Sequence, residues 1–358
     1  MAENKILDLM GGDIETLNTF FSSIGEKKFR STQVIQWIHK QGICDINDMT
    51  NLSKKLRTDL PNNTVITVPK IVRQLESTDG TIKWLLELED KNIIETVYIP
   101  EKNRGTVCIS SQAACQLNCT FCATAQQGFS RNLKTSEIIG QLWLANNVLK
   151  SKHYNERRAT NVVMMGMGEP LLNINNVIPA LNLMLDNNAY NLSRRRVTVS
   201  TAGIIPGIEQ LGSKCNVSLA ISLHASNDEL RNKLVPLNKK YPIENLIEAC
   251  KTYANKTNLN HITFEYIMLN EINDSSSDAY KLISVLDQVP AKVNLIPFNP
   301  VSGIEFKAST EKRIDKFQTV LNRAGITTTI RRSRGQDIAA ACGQLSGDVK
   351  LRKNKRSF

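Results

Sequence analysis

From residue 106 onward, short apolar runs of strand length alternate with stretches whose apolar residues recur at helical spacing. This alternation constrains the fold more than any other feature of the chain. The strand-like runs fall at 106–111, 161–165, 196–200, 217–223, 261–268 and 293–297, and helical patterns fall at 136–149, 176–185, 243–253, 277–286 and 311–324. Strands that are apolar throughout need cover on both faces, and a parallel sheet wrapped by helices provides it. An α/β chain of six βα units is expected, with its chemistry at the carboxyl ends of the strands.

Those ends carry an unusual set of side chains. The first strand runs into a loop holding Cys115, Cys119 and Cys122 at the spacing C-x3-C-x2-C, with no fourth ligand nearby. Soft thiolates select iron–sulfur or zinc sites. A structural zinc site takes four ligands, and a redox C-x-x-C made of Cys119 and Cys122 leaves Cys115 unexplained. Three thiolates instead suit a 4Fe-4S cube whose fourth iron stays open for a small molecule. The second strand ends in Gly166-Met-Gly168-Glu169, where glycine admits close backbone approach and the carboxylate can accept from an ammonium. Ser200 ends the third strand, Ser222-Leu223-His224 the fourth, and Asn299 follows the sixth. Each alone is a common turn or cap residue, but several strand ends share the pattern.

The rest of the chain frames this core. Helical spacing at 13–21, 31–39 and 53–60 predicts a small basic helical module over 1–62. Residues 63–104 read as β-rich, with Asp79-Gly80 turning a hairpin and Glu95 sharing a strand face with Val97 and Ile99. The barrel is placed at 105–345 and a basic tail at 346–358. The net charge of +11, with clusters at Lys27–Arg30, Arg194–Arg196, Arg331–Arg334 and 350–356, points to a polyanionic partner, most simply nucleic acid. No run approaches a membrane span and the N-terminus lacks a signal-peptide core, so a cytoplasmic location and no membrane partner are expected. The eight unevenly spaced cysteines then read as ligands and reactive thiols, with Cys44, Cys215 and Cys250 as buried structural residues.

The C-x3-C-x2-C loop, Met164–Pro170, Val197–Gly203, Ser222–His224 and Ala339–Leu345 occur in an order that resembles the bacterial dual-specificity RNA adenine-C2 methyltransferases, the RlmN family of radical S-adenosylmethionine (SAM) enzymes. The resemblance spans essentially the whole chain and implies a partial (βα)6 barrel with a helix-hairpin-helix-like N-terminal module. It implies two cofactors, a 4Fe-4S cluster on Cys115, Cys119 and Cys122, and SAM held by Gly168, Glu169, Ser200, Ser222, Leu223, His224 and Asn299. It further implies that Cys342 accepts a methyl group from one SAM. Radical chemistry from a second SAM then joins that carbon to adenine C2, and Cys108 attacks Cys342 to release the product. C2 is electron-poor, so ordinary methyl displacement does not reach it. Glu95, in the family's Ile-Glu-Thr-Val-Tyr-Ile-Pro context, takes the role of catalytic base. The implied partners are 23S rRNA, tRNA beside the anticodon and an electron-donating reductant, with the chain a monomer. Two rivals share part of the pattern: the adenine-C8-methylating relative Cfr, and a non-catalytic iron–sulfur protein that binds RNA or senses iron. Pro170 leans toward the C2 enzyme, and the non-catalytic reading leaves Gly168, Glu169 and Cys342 without a task.

Overall fold

The computed structural model describes residues 6–150 and 159–347. Its centre is a ten-stranded sheet. The strands are β1 (Lys70–Glu76), β2 (Ile82–Glu87), β3 (Ile93–Glu101), β4 (Arg104–Cys108), β5 (Asn161–Met164), β6 (Val197–Thr201), β7 (Ser218–Ser222), β8 (Ile262–Met268), β9 (Ala291–Pro297) and β10 (Thr327–Ile330). They lie side by side in chain order. Strands β1 to β4 pair antiparallel and β4 to β10 pair parallel, so β4 belongs to both halves.

The six expected parallel strands are present, with ends shifted by a few residues, and β10 extends them to a seventh. Strand β10 reads Thr-Thr-Thr-Ile, so it lacks the apolar run that marked the others, although threonine suits a strand backbone. The expected helices form at Thr135–Leu149, Ile174–Leu185, Ile243–Thr257, Ser276–Leu286 and Glu311–Arg323. Two further helices, Ile205–Lys214 and Asp228–Leu234, complete the connections. The longer helices pack each against the next in chain order and cover one face of the parallel strands, not both as the apolar runs suggested; the inward face carries Thr198, Thr263 and Asn294 and lines a cavity.

The Asp79-Gly80 turn joins β1 to β2, with Gly80 in the left-handed region at φ +81°. Strand β1 is an exposed edge with an irregularity in its register between Ile71 and Arg73. The N-terminal helices Ile14–Ser23, Phe29–Ile35 and Lys54–Asp59 share one continuous hydrophobic core with the barrel. Polar contacts fix the docking: Trp143 Nε1 donates to the Ile38 carbonyl at 2.8 Å and Asn182 Nδ2 to the Asp13 carboxylate at 3.1 Å. The basic tail beyond residue 347, including the cluster at 350–356, lies outside the described residues.

Candidate active site

Two cavities open at the barrel and meet at one cysteine. The first, about 160 Å³, lies at the carboxyl ends of the strands and is lined by Cys115, Cys119, Cys122, Gly168, Glu169, Ser200, Ser222 and His224. The second, about 650 Å³, follows the inward faces of the strands and is lined by Cys108, Thr106, Thr198, Thr263, Asn294 and Thr329, with Arg104, Arg195, Arg332 and Arg334 at its walls. Cys342, Glu265 and Arg331 line both.

The thiols of the Cys loop are half-buried. Burial pushes Cys115 up to about 12 and raises Cys119 well above its ordinary value, and neighbouring cysteines add to the effect in both. Among the described residues no three such side chains already converge as a ligand set. The donor set still fits a 4Fe-4S cluster, because three thiols on one loop face one cavity. Loading it converts buried thiols to thiolates and releases protons. A small apolar cluster around Phe121, Leu234, Val235, Ile267 and Phe298 packs against Cys119 and Cys122 and shields that side from water.

At the end of β5, Gly168 has φ +98°, and a Cβ there would stand 2.4 Å from that of Gln112. Only glycine lets this turn lie against the Cys-loop strand. Glu169 is buried; its oxygens accept from the backbone N–H groups of Leu171 (3.0 Å) and Ala202 (2.8 Å). Burial nevertheless pushes it up to about 7. A carboxylate so placed gains from an ammonium brought into the cavity.

His224 is kept neutral, its pKa lowered to about 3 by burial and, secondarily, by Arg231. Its Nδ1 accepts from the Ile267 N–H at 3.1 Å, so the ring proton sits on Nε2. Arg231 was not anticipated from the sequence. Its fully buried guanidinium donates to the carbonyls of Ala202 (2.6 Å), Ser222 (3.1 Å) and Leu223 (3.0 Å) and to Asn238 Oδ1 (2.7 Å), tying the ends of β6 and β7 together.

Leu223 and Asn299, also expected at the cofactor, differ from these residues in where their side chains go. The Leu223 side chain is wholly in the core and its backbone N–H donates to the Glu265 carbonyl, so it shapes the strand end and does not face the cavity. Asn299 lines the second cavity; its Nδ2 donates to the Cys342 carbonyl at 3.1 Å, while its Oδ1 accepts from Ser333 and Gln336. It holds the Cys342 loop.

Cys108, at the end of β4, is buried and pushed up to about 12 by burial first and by Cys342 second, with Arg331 opposing. Burial likewise raises Cys342, again against Arg331. Arg331 appeared in the sequence only as one of a basic run. Its side chain is instead half-buried, lining both cavities with Cys342 and Glu265, and donates to Met165 Sδ at 3.5 Å. The Cys342 loop is also bonded to the short helix after the Cys loop: Ala123 N–H donates to the Gly343 carbonyl (2.9 Å) and Thr124 Oγ1 to the Leu345 carbonyl (2.6 Å).

Glu95 faces inward on β3 but is not the lone carboxylate on an apolar face that alternation suggested. Lys83 of β2 stands 3.3 Å away as a buried ion-pair partner, and Ser346 N–H donates to the other oxygen at 3.2 Å. Cross-strand register places Lys83 opposite Val97, one step diagonal from Glu95. Only the register, which the sequence does not print, exposes the pair. Cys215 and Cys250 are buried as expected, and Cys44 is half-buried.

Comparison with known proteins decides the family. A family model for the N-terminal domain of ribosomal RNA large subunit methyltransferases matches residues 7–66, and the radical SAM superfamily model matches residues 109–283. The dual-specificity RNA methyltransferase RlmN of Francisella tularensis subsp. novicida is 51% identical, covering 99% of this chain and 96% of the relative. The chain belongs to the RlmN family. The subsp. holarctica RlmN is 50% identical, covering 100% of this chain and 97% of its own. A crystal structure of a radical SAM methyltransferase from Sphaerobacter thermophilus superposes with a TM-score of 0.88 at 39% identity, over 95% of this chain and 99% of that one. RlmN enzymes are radical SAM methyltransferases that use a 4Fe-4S cluster and SAM, and the fold expected from the sequence is the one observed.

Proposed function

We propose that this chain methylates C2 of an adenine in 23S rRNA, and of the adenine beside the anticodon in tRNA, with Cys342 carrying the one-carbon unit. The observation that carries the reading is the position of Cys342, the cysteine that lines both the cavity of the Cys loop and the cavity holding Cys108. A carrier must face the methyl donor on one side and the acceptor base on the other.

When bound on Cys115, Cys119 and Cys122, the cluster with SAM supplies one-electron cleavage and hydrogen abstraction. The chain supplies the rest. Glu169, Ser200, Ser222 and His224 Nε2–H orient the cofactor's amine, carboxylate and ribose. Cys342 takes a methyl group through its sulfur, losing the thiol proton, with Arg331 favouring the thiolate. Once the carbon is joined to the base, Glu95 removes the C2 proton. The adduct gives up one electron, balancing the one spent on SAM cleavage. The Cys108 sulfur, losing its thiol proton, then attacks Cys342, the bond from Cys342 to the carbon breaks toward the base, that carbon takes a proton to become the methyl group, and a Cys108–Cys342 disulfide forms. An external reductant returns both thiols. Arg195, Arg332 and Arg334 border the second cavity and suit the phosphates that flank an unstacked adenine, and the helical module over 1–62 adds contacts away from the chemistry. Among the described residues no helix is long and apolar enough to cross a membrane.

The test is nucleoside analysis of RNA incubated with cluster-loaded protein, SAM and reductant. 2-Methyladenosine is expected. 8-Methyladenosine, or an unmodified base with no 5′-deoxyadenosine released, overturns the reading.

A further inference from the structure

The Cys342 loop is fastened at both ends to one buried ion pair. On its N-terminal side, the Ala339 carbonyl accepts from Lys83 Nζ at 3.0 Å; on its C-terminal side, Ser346 N–H donates to Glu95 Oε2 at 3.2 Å. The two anchors are joined by the Lys83–Glu95 pair itself at 3.3 Å, with side-chain exposures of 7% and 4%. A buried lysine is costly unless its charge is met, and here two acceptors meet it, one of them on the loop. The ring Lys83–Ala339…Ser346–Glu95 therefore closes only when the loop is seated.

We infer that Lys83 is a positioning residue that latches the Cys342 loop and, in the latched state, holds Glu95 out of use. This rests on the proposed roles of Glu95 and Cys342. With one oxygen on Lys83 and the other on Ser346 N–H, both oxygens of the Glu95 carboxylate are engaged; the residue is 3% exposed and is not among the residues lining either cavity. The seated loop presents Cys342 to the Cys-loop cavity. For Glu95 to reach a base, Ser346 has to leave it, which moves the loop that bears Cys342. The latch thus separates in time two steps that use one loop: closed for loading Cys342, open for the step on RNA.

The experiment measures alkylation of Cys342 by iodoacetamide in folded, cluster-loaded protein without SAM or RNA, read on the Cys342 peptide by mass spectrometry. Lys83→Met should speed alkylation by about tenfold, the size expected for losing one charge-assisted hydrogen bond, and Lys83→Arg should restore most of the protection. The Lys83→Met/Glu95→Leu double variant removes the uncompensated buried charge, so its melting temperature should recover while Cys342 stays fast to alkylate. Wild-type protection in folded Lys83→Met, or protection regained together with stability in the double variant, overturns the latch. In single turnovers, Lys83→Met should slow methylation of Cys342 by about tenfold but not slow transfer to RNA from protein already methylated there. Equal slowing of both steps also overturns it. If Glu95→Gln methylates RNA normally, the reading of Glu95 as base fails, while the alkylation results still decide the latch.

Discussion

In the parallel half of the sheet, β4 to β10, most of the side chains around the Cys-loop cavity stand at or beyond the strand ends; in the antiparallel half, β1 to β4, Lys83 and Glu95 stand within the strands. Cys115, Cys119, Cys122, Gly168, Glu169 and His224 all follow strands and face one cavity, where backbone and polar groups are free to meet a ligand. Lys83 and Glu95 are mid-strand residues on β2 and β3, committed to each other and to the Cys342 loop. The first half is built to bind a cofactor, and the second to hold and release a segment of the chain. Strand ends collect ligands because loops there vary freely on a rigid frame, whereas mid-strand residues are fixed in register and suit a device that must close the same way each time.

The largest effect separating the halves comes from the Cys loop. Cys119→Ala should abolish iron binding, 5′-deoxyadenosine release and RNA methylation together, read by iron content and product analysis. Full activity with zinc in place of iron would break the comparison at its root. On β4, the strand shared by both halves, Cys108→Ala should leave Cys342 methylation intact but end multiple turnover, leaving a covalent protein–RNA adduct visible on a denaturing gel. Normal turnover would remove Cys108 from the mechanism. In the antiparallel half, Glu95→Gln should slow the RNA step by roughly 10²–10⁴-fold, the range for a lost general base. Methylation of Cys342 should change by tenfold or less. A matched loss in both steps would place Glu95 with the cofactor residues instead.

The smallest effect is on stability. His39, buried against Tyr190 in the N-terminal module, and His224 are both held neutral, lowered by burial to about 3 from an ordinary 6.5. Above pH 6.5 both folded and unfolded chains leave them neutral and nothing is lost. Below it the unfolded chain takes up protons that the folded one refuses, so stability falls as pH drops from 6.5 toward 3. Each histidine contributes a slope of up to about 1.4 kcal/mol per pH unit. Urea titrations across that window should show the loss, and His39→Gln should flatten it in part.

The same contrast explains what the sequence disclosed. Apolar runs and their spacing marked six of the seven parallel strands and five of the helices around them, because the side of each element that faces the core is apolar. Strand β10 escaped because Thr327, Thr328 and Thr329 break the apolar signal. The Cys loop and Gly168-Glu169 stand out in the sequence because each is a few residues at fixed spacing on one turn, and the structure brings both to one cavity. Lys83, Arg231 and Arg331 were not. Each acts on residues far along the chain: Lys83 on Ala339, Arg231 on Ala202, and Arg331 on Cys108. A charge reads as surface until its partners are known, and those partners are set by topology. For Leu223 and Asn299 the sequence places the residue at a strand end but not the direction of its side chain, which packs in the core for Leu223 and reaches the Cys342 carbonyl for Asn299.

Strand β1 carries a consequence for handling the protein. Among the described residues it is the last strand of the sheet, and Ile71 and Val72 are exposed on it. Lys70, Arg73 and the register break between Ile71 and Arg73 are the features that discourage a second molecule from docking there. Neutralising Lys70 and Arg73 should therefore cost solubility before it costs activity. Shelf life and yield at high concentration then depend on two side chains that play no part in catalysis.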